Sequence, residues 1–478
     1  MKKTAILVFI LTLSSCIYSQ DYGTGDNTTE ADLKKMLKAA TRSRGDTRGL
    51  PDSFSIKQFA PEPQNQGKLE TCVGWSTAYA ARTISYMIKK NLSRPDSIKK
   101  YAFSPGYIYY KIKKTADKNC MMGSKIIDAL AMMKDTGAML KKEGLEDCAV
   151  SIVKKTELKK TSPYRIKDFQ LRNENAISIS ENDIADIKKS LTEKKPVVIS
   201  LKIDNSFKNI SYDGTWSPSV ENATKGHAMC IVGYNDSIGG GSFEVMNSYG
   251  TKWGNKGFFW LSYKQLVSYG RYALELMDFE TPGTRGFGSR NLEISGSIEF
   301  IRWGGKVLPV TRTKNPGGIT AQANRSDDNK IYRITDTLKR GNWFQVKFVA
   351  GTASYIYIFA QDDKKEISPL FPQDSTISAA INSPNSSYYL PDEVTYGVIG
   401  NPGKENFCIL YSKSEIDFKD IKKNIDSEKT TIHEAVKLKL GRRLIDMKNV
   451  TFGDDKIIFK APADENSVLC FYVEMNHN

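Results

Sequence analysis

Between Thr71 and Leu261 the apolar residues change period, and that change constrains the fold more than any other feature of the chain. From Thr71 to Met87, the residues Val73, Trp75, Ala78, Ala81, Ile84, Tyr86 and Met87 recur at the spacing of a helix with a buried face. Two more helical stretches are predicted at Pro105–Lys114 and Ser124–Thr136, the second broken at Gly137. After a lysine-rich connection at 154–160 the pattern turns to short β runs: Val197–Ile203, His227–Tyr234, Phe243–Asn247 and Gly257–Leu261. Helices followed by strands predict an α+β domain of two packed lobes over residues 50–280.

Glu280-Thr-Pro-Gly-Thr-Arg-Gly-Phe-Gly then breaks the pattern, and 281–290 reads as a linker. Beyond it, runs at Leu292–Val310, Trp343–Val349, Tyr355–Gln361, Phe407–Tyr411 and Val468–Val473 predict a β-rich, sandwich-like accessory domain over 291–478. Tyr355, Tyr357 and Phe359 alternate there as a sheet face turned to the core, with a protein- or glycan-binding platform as the rarer use of such aromatics. On the other side, Pro51, Pro61 and Pro63 favour an extended entry, and residues 20–49 are polar enough to be a spacer or a vestigial pro-segment with one short capped helix. With 40% hydrophobic and 26% charged residues among 478, the chain is globular. Its net charge of +15 is spread rather than blocked, so no nucleic-acid partner is expected.

Lys2-Lys3, an apolar run from Ala5 to Leu13 and the small Ser14 and Ser15 have the build of an export signal over 1–19, too short to span a bilayer. Two endings stay open: lipidation at Cys16 in Leu13-Ser14-Ser15-Cys16, which resembles a bacterial lipoprotein box, or a cut after Ser19. Either one places the protein outside the cytoplasm, in the periplasm, on the cell envelope or beyond it, with no transmembrane segment. Seven cysteines are too sparse for a disulfide scaffold, and no pair has zinc-ligand spacing, so no metal is expected. Cys120 and Cys148 lie in one loop-rich stretch and are the preferred bridge, with two free buried thiols as the alternative.

Cys72 falls in the first turn of the 71–87 helix, where unpaired N–H groups and the positive end of the dipole favour a thiolate. Gln66, six residues upstream, is near enough to offer an amide N–H where an oxyanion would form. Of three histidines only His227 sits in a patterned strand, and Gly239-Gly240-Gly241 turns that strand back so that Asn247 comes beside it. Nucleophile, base and orienting amide are then present together. A buried core histidine and an inert thiol are the bland alternatives.

Gln66…Cys72, Gly226-His227-Ala228 and Asn247-Ser248-Tyr249-Gly250-Thr251-Lys252-Trp253-Gly254 resemble, in order, the signature blocks of papain-family cysteine peptidases over roughly residues 50–280. The resemblance implies a two-lobed papain-like fold, protein or peptide substrates and no cofactor. It also implies roles: Cys72 as nucleophile, His227 as general acid and base, Asn247 as orienter, and Gln66 with the Cys72 N–H as oxyanion hole. Trp253 and Tyr249 would shield the Asn–His pair, and Gly123 would offer its backbone to substrate. The chain departs from the family at Leu69-Glu70-Thr71 and Val73 around the nucleophile, and Glu70 brings a carboxylate near the oxyanion wall that would repel anionic side chains or raise the thiol pKa. Residues 20–50 are also shorter than the helical inhibitory pro-regions of plant and lysosomal members, so zymogen control of that kind is not expected. Tyr355–Asp363 with Pro369–Pro372 resembles a bacterial domain of unknown function found on exported peptidases and on signalling enzymes. The rival functions are a catalytically silent binding protein, kept open by Glu70, and transglutaminase-type acyl transfer, which Asn247 and Gln66 disfavour.

Overall fold

The computed structural model describes residues 22–141, 160–210, 223–279, 292–312, 330–362, 366–391, 403–417 and 431–478, with a few single positions between them. The expected signal at 1–19, the linker at 281–290 and Cys148 lie outside the described residues. The first domain is built on an antiparallel sheet of β1 (Ser53–Ser55), β2 (Asp168–Leu171), β3 (Val197–Ile203), β4 (Lys225–Asn235), β5 (Ser242–Met246), β6 (Phe258–Ser262) and β7 (Gly270–Met277). Their order is β2-β7-β3-β4-β5-β6, with β1 paired to β4. In β3 only Lys202 is exposed, because both faces are covered, which is why its sequence is a continuous apolar run. The β4–β5 hairpin turns through Gly239, Gly240 and Gly241, all at positive φ, where side chains are strained. Its register sets Cys230 opposite Met246, with a shift between Ile231 and Gly233.

Helices form the other lobe. The stretch predicted from Thr71 is helical from Cys72–Gly74 through Trp75–Arg82 to Thr83–Lys90, with the middle part wound as a π-helix. Pro105–Ile112 starts on the Ser104 cap with proline at its first position, and Ile126–Asp135 follows. Ala78, Ala81, Ile84, Leu130 and Met133 from the helices share one core with Ile199, Ile231 and Phe259 from the sheet.

The accessory domain is a sandwich of two seven-stranded sheets, one centred on Gly403–Ser412 and Val468–His477, the other on Leu292–Arg302. Ile298, Phe300, Phe348, Ile356, Ile358, Tyr411 and Phe471 fill the space between them. Tyr355, Tyr357 and Phe359 point the other way and are buried with the helix Ile432–Leu440 and with Met277 of the first domain. They are a core face, and Tyr355 Oη donates to Asp168 across the domain boundary at 2.8 Å. No helix among the described residues is long and apolar enough to cross a membrane.

Residues 22–49 depart from the spacer, one of the two alternatives expected for them, since a polar spacer would hang free and this stretch is held against both domains. Thr29 caps the short helix Glu30–Leu33, Leu33 and Met36 enter the first core, and Lys38 bridges Leu171 of β2 and Ile377 of the sandwich. Ala40 lies in the second core. The Arg42 side chain is fully buried, and its guanidinium reaches Asp186 at 2.5 Å, Glu193 at 3.4 Å, Glu275 at 3.5 Å and Ser383 Oγ at 2.5 Å.

Candidate active site

Cys72, His227, Asn247 and Gln66 are all buried and converge at the seam between the helical lobe and the sheet. β4 supplies His227, and the turn after β5 supplies Asn247, whose Oδ1 lies 2.8 Å from His227 Nε2. Because Oδ1 can only accept, Nε2 carries the proton and Nδ1 presents its lone pair. Nδ1 has no hydrogen-bond partner. The Cys72 sulfur, at the start of the helical stretch, accepts from the Ala228 N–H at 3.4 Å, one residue past His227. Tyr249 stacks on the imidazole with centroids 5.0 Å apart, and Trp253 meets Tyr249 edge-on while its indole N–H donates to Phe207 O at 3.2 Å. Ser248 is a positioning residue that the sequence did not single out. Its hydroxyl donates to Gln66 Oε1 at 2.5 Å, leaving the amide N–H₂ to the Thr24 and Leu69 carbonyls, and its carbonyl accepts from Gln66 N–H at 2.8 Å.

The cleft is filled by the chain itself. The Thr24 carbonyl accepts from Gln66 Nε2 at 3.3 Å and from the Cys72 N–H at 3.4 Å, the two donors expected to form an oxyanion hole. To one side, Gly23 N–H donates to Gly67 O at 2.9 Å, Tyr249 Oη donates to Gly23 O at 3.0 Å, and the Tyr22 ring stacks on Tyr249 at 4.2 Å. To the other, Ser124 N–H donates to Gly25 O at 2.9 Å, Asn27 N–H to Ser124 O at 3.0 Å and Asp26 N–H to Gly226 O at 3.2 Å. The strap fits only because Gly25 (φ +112°) lacks a side chain: a Cβ there would sit 2.2 Å from Glu70 O. Gly123 lies on the rim, also at positive φ, where a Cβ would come within 2.5 Å of Gly25 O. The backbone pairing is made by its neighbour Ser124.

Burial under the strap reverses the electrostatics expected of a helix-start cysteine. It pushes the Cys72 thiol well above its ordinary value, and the Asp26 and Glu70 carboxylates push the same way. Burial also depresses the His227 imidazole to about 4, against the Asn247 bond and the Asp26 charge, which favour its cation. The closed site therefore holds a neutral thiol and a neutral imidazole. Cys120 is in a disulfide, whereas Cys72, Cys230, Cys408 and Cys470 are free and buried. Among the described residues no cluster of His, Cys, Asp or Glu could hold a metal ion.

Residues 62–273, which contain Gln66, Cys72, His227 and Asn247, match the model described as papain family cysteine protease. That stretch is a papain-family domain. Residues 337–415 match a domain of unknown function, DUF4384. An uncharacterised peptidase C1-like protein of Acanthamoeba polyphaga mimivirus is 34% identical over 93 residues, 18% of this chain, and the match spans 29% of that relative's length. Among solved structures, xylellain, a cysteine protease from Xylella fastidiosa, aligns at 21% identity and a TM-score of 0.44 over 55% of this chain and 98% of its own. Digestive procathepsin L 3 of Tenebrio molitor larval midgut aligns at 14% identity and 0.40, over 54% and 77%.

Proposed function

We propose that the chain is an exported cysteine peptidase that hydrolyses peptide bonds through an acyl-enzyme on Cys72, and that residues 22–27 hold it latent. The observation that carries this reading is the Thr24 carbonyl seated on the Gln66 amide and the Cys72 N–H, since a peptide carbonyl already rests where a substrate's would be attacked. When the strap leaves, water reaches the seam and the penalty on charge falls. The Cys72 proton then passes to His227 Nδ1, the ring nitrogen that Asn247 leaves unpartnered. The thiolate adds to the substrate carbonyl carbon, and Gln66 and the Cys72 N–H donate to the oxyanion. Collapse breaks the C–N bond as His227 returns its proton to the amine. Water, deprotonated by His227, then cleaves the thioester and restores the thiol.

Export is proposed from the 1–19 pattern, with the mature chain beginning at lipidated Cys16 or at Gln20, and intact mass of the protein recovered from its native cells separates the two. Hydrolysis is tested on the full chain carrying Gly25→Val, which drives a side chain into the Glu70 carbonyl and expels the strap. This variant should cleave peptides to new free amines at least ten-fold faster than wild type, and Gly25→Val/Cys72→Ala should not cleave them. Turnover that survives loss of Cys72 would refute the assignment, and crosslinked rather than hydrolysed products would turn it toward acyl transfer.

A further inference from the structure

Beside the oxyanion donors, Asp26 of the strap drops its side chain into a closed pocket. Its carboxylate is fully buried, and Oδ2 accepts from Arg271 Nη1 at 2.8 Å, Tyr272 Oη at 2.8 Å and Ser200 Oγ at 2.5 Å. The other oxygen, Oδ1, is satisfied within the strap by Thr28 N–H at 3.1 Å and Thr28 Oγ1 at 2.6 Å. The three outer donors belong to the sheet: Ser200 on β3 stands directly opposite Tyr272 on β7 and Ala228 on β4, next to His227. Gly226 makes room for them, since a Cβ there would come within 2.8 Å of Arg271 Nη1. The strap reaches this pocket by main-chain pairing to Ser124 and Gly226, contacts that read no sequence and would align any extended peptide the same way.

We propose that this pocket selects an acidic side chain, Asp or Glu, in the substrate, an inference that rests on the peptidase reading above. A guanidinium and two hydroxyls aim their donors at one oxygen, Oδ2, and the guanidinium brings a positive charge that a carboxylate matches. A carboxamide with its oxygen in that place would turn its N–H₂ onto the Thr28 N–H and leave the Arg271 charge unmatched, and an apolar side chain would leave the Ser200 and Tyr272 hydroxyls without this acceptor. Sites built on such donors reject partners that lack the matching acceptor far more strongly than apolar pockets reject a wrong shape. Asp26 is then a built-in occupant of the pocket, and Arg271, Tyr272 and Ser200 are specificity-determining residues.

The test uses the full chain with Gly25→Val and Asp26→Ala, which expels the strap and empties the pocket, and follows iodoacetamide labelling of Cys72 by mass. Two octapeptide probes are added in turn, one with the sequence of residues 22–29 and one with asparagine in place of its aspartate. Cys72 should label in the double variant, and the acidic probe should protect it at a concentration at least ten-fold lower than the amide probe. Arg271→Gln on the same background should erase that difference. Digestion of a mixed peptide library should show Asp or Glu enriched at one fixed position near the cut. Equal protection by both probes, no labelling of Cys72, or an apolar preference at that position would overturn the proposal. Acid-selective protection without hydrolysis of any library peptide would keep the pocket and remove the peptidase reading.

Discussion

Gln66 is held by Ser248 through two hydrogen bonds, and its amide donates to the Thr24 and Leu69 carbonyls. In the opened Gly25→Val chain, Gln66→Ala should lower kcat by about 10²–10³-fold, the usual loss for one oxyanion donor, as read by steady-state kinetics. His227 gives a second test at this scale. Its folded pKa of about 4 lies below the ordinary 6.5, so the unfolded chain binds the extra proton first as pH falls. Stability from this group is complete above pH 6.5 and is lost down to about pH 4, a span on the order of 3 kcal/mol. The drop in Tm between pH 7 and pH 4.5 should therefore be larger in wild type than in His227→Gln. Cys72, His227, Asn247 and Gln66 were legible because the chemistry demands those residue types and few places in the sequence offer them. The upward push of Glu70 on the thiol was legible as well, whereas its largest cause, burial, was not, since that depends on what covers the sulfur rather than on the helix that carries it.

Strands and helices with a buried stripe announce themselves by period, and β3 and the β4–β5 hairpin stand where their sequence puts them. The strap has no period to read, because residues 22–27 are held by backbone pairing and by single contacts such as those of Asp26 rather than by a repeating apolar face. Its one local sign is the Gly-x-Gly at Gly23 and Gly25, whose meaning needs the Leu69 and Glu70 carbonyls 2.1 and 2.2 Å from where side chains would be. Downstream, Arg42 anchors the strap among Asp186, Glu193 and Glu275, with Arg172 and Lys195 completing the charge balance. Those charges hold Glu275 ionised well below the usual carboxylate range despite burial. Arg42→Ala would leave buried carboxylates short of a partner, a loss of about 3–5 kcal/mol by urea denaturation. The same variant should speed labelling of Cys72, because the anchor and the strap are one stretch of chain.

Across the whole molecule, the two domains were legible as separate patterns, whereas their docking was not. It is made of single polar contacts far apart in sequence, such as Tyr355 to Asp168 at 2.8 Å and Asn382 Nδ2 to Glu275 Oε1 at 2.6 Å. Residues 38–46 run through this junction and touch both domains. Calorimetry of the wild-type chain should therefore show one cooperative transition, and two well-separated transitions would contradict the junction described here. The central claim is that Cys72 is an activated nucleophile masked by its own N-terminal strap. The direct measurement is the intact mass of the full chain after an epoxide-type thiol reagent at neutral pH, comparing wild type, Gly25→Val and Gly25→Val/Cys72→Ala. Wild type should take up little adduct, the opened chain one, and the chain without Cys72 none. Rapid labelling of Cys72 in wild type, or an adduct in the opened chain that survives the loss of Cys72, would contradict this claim.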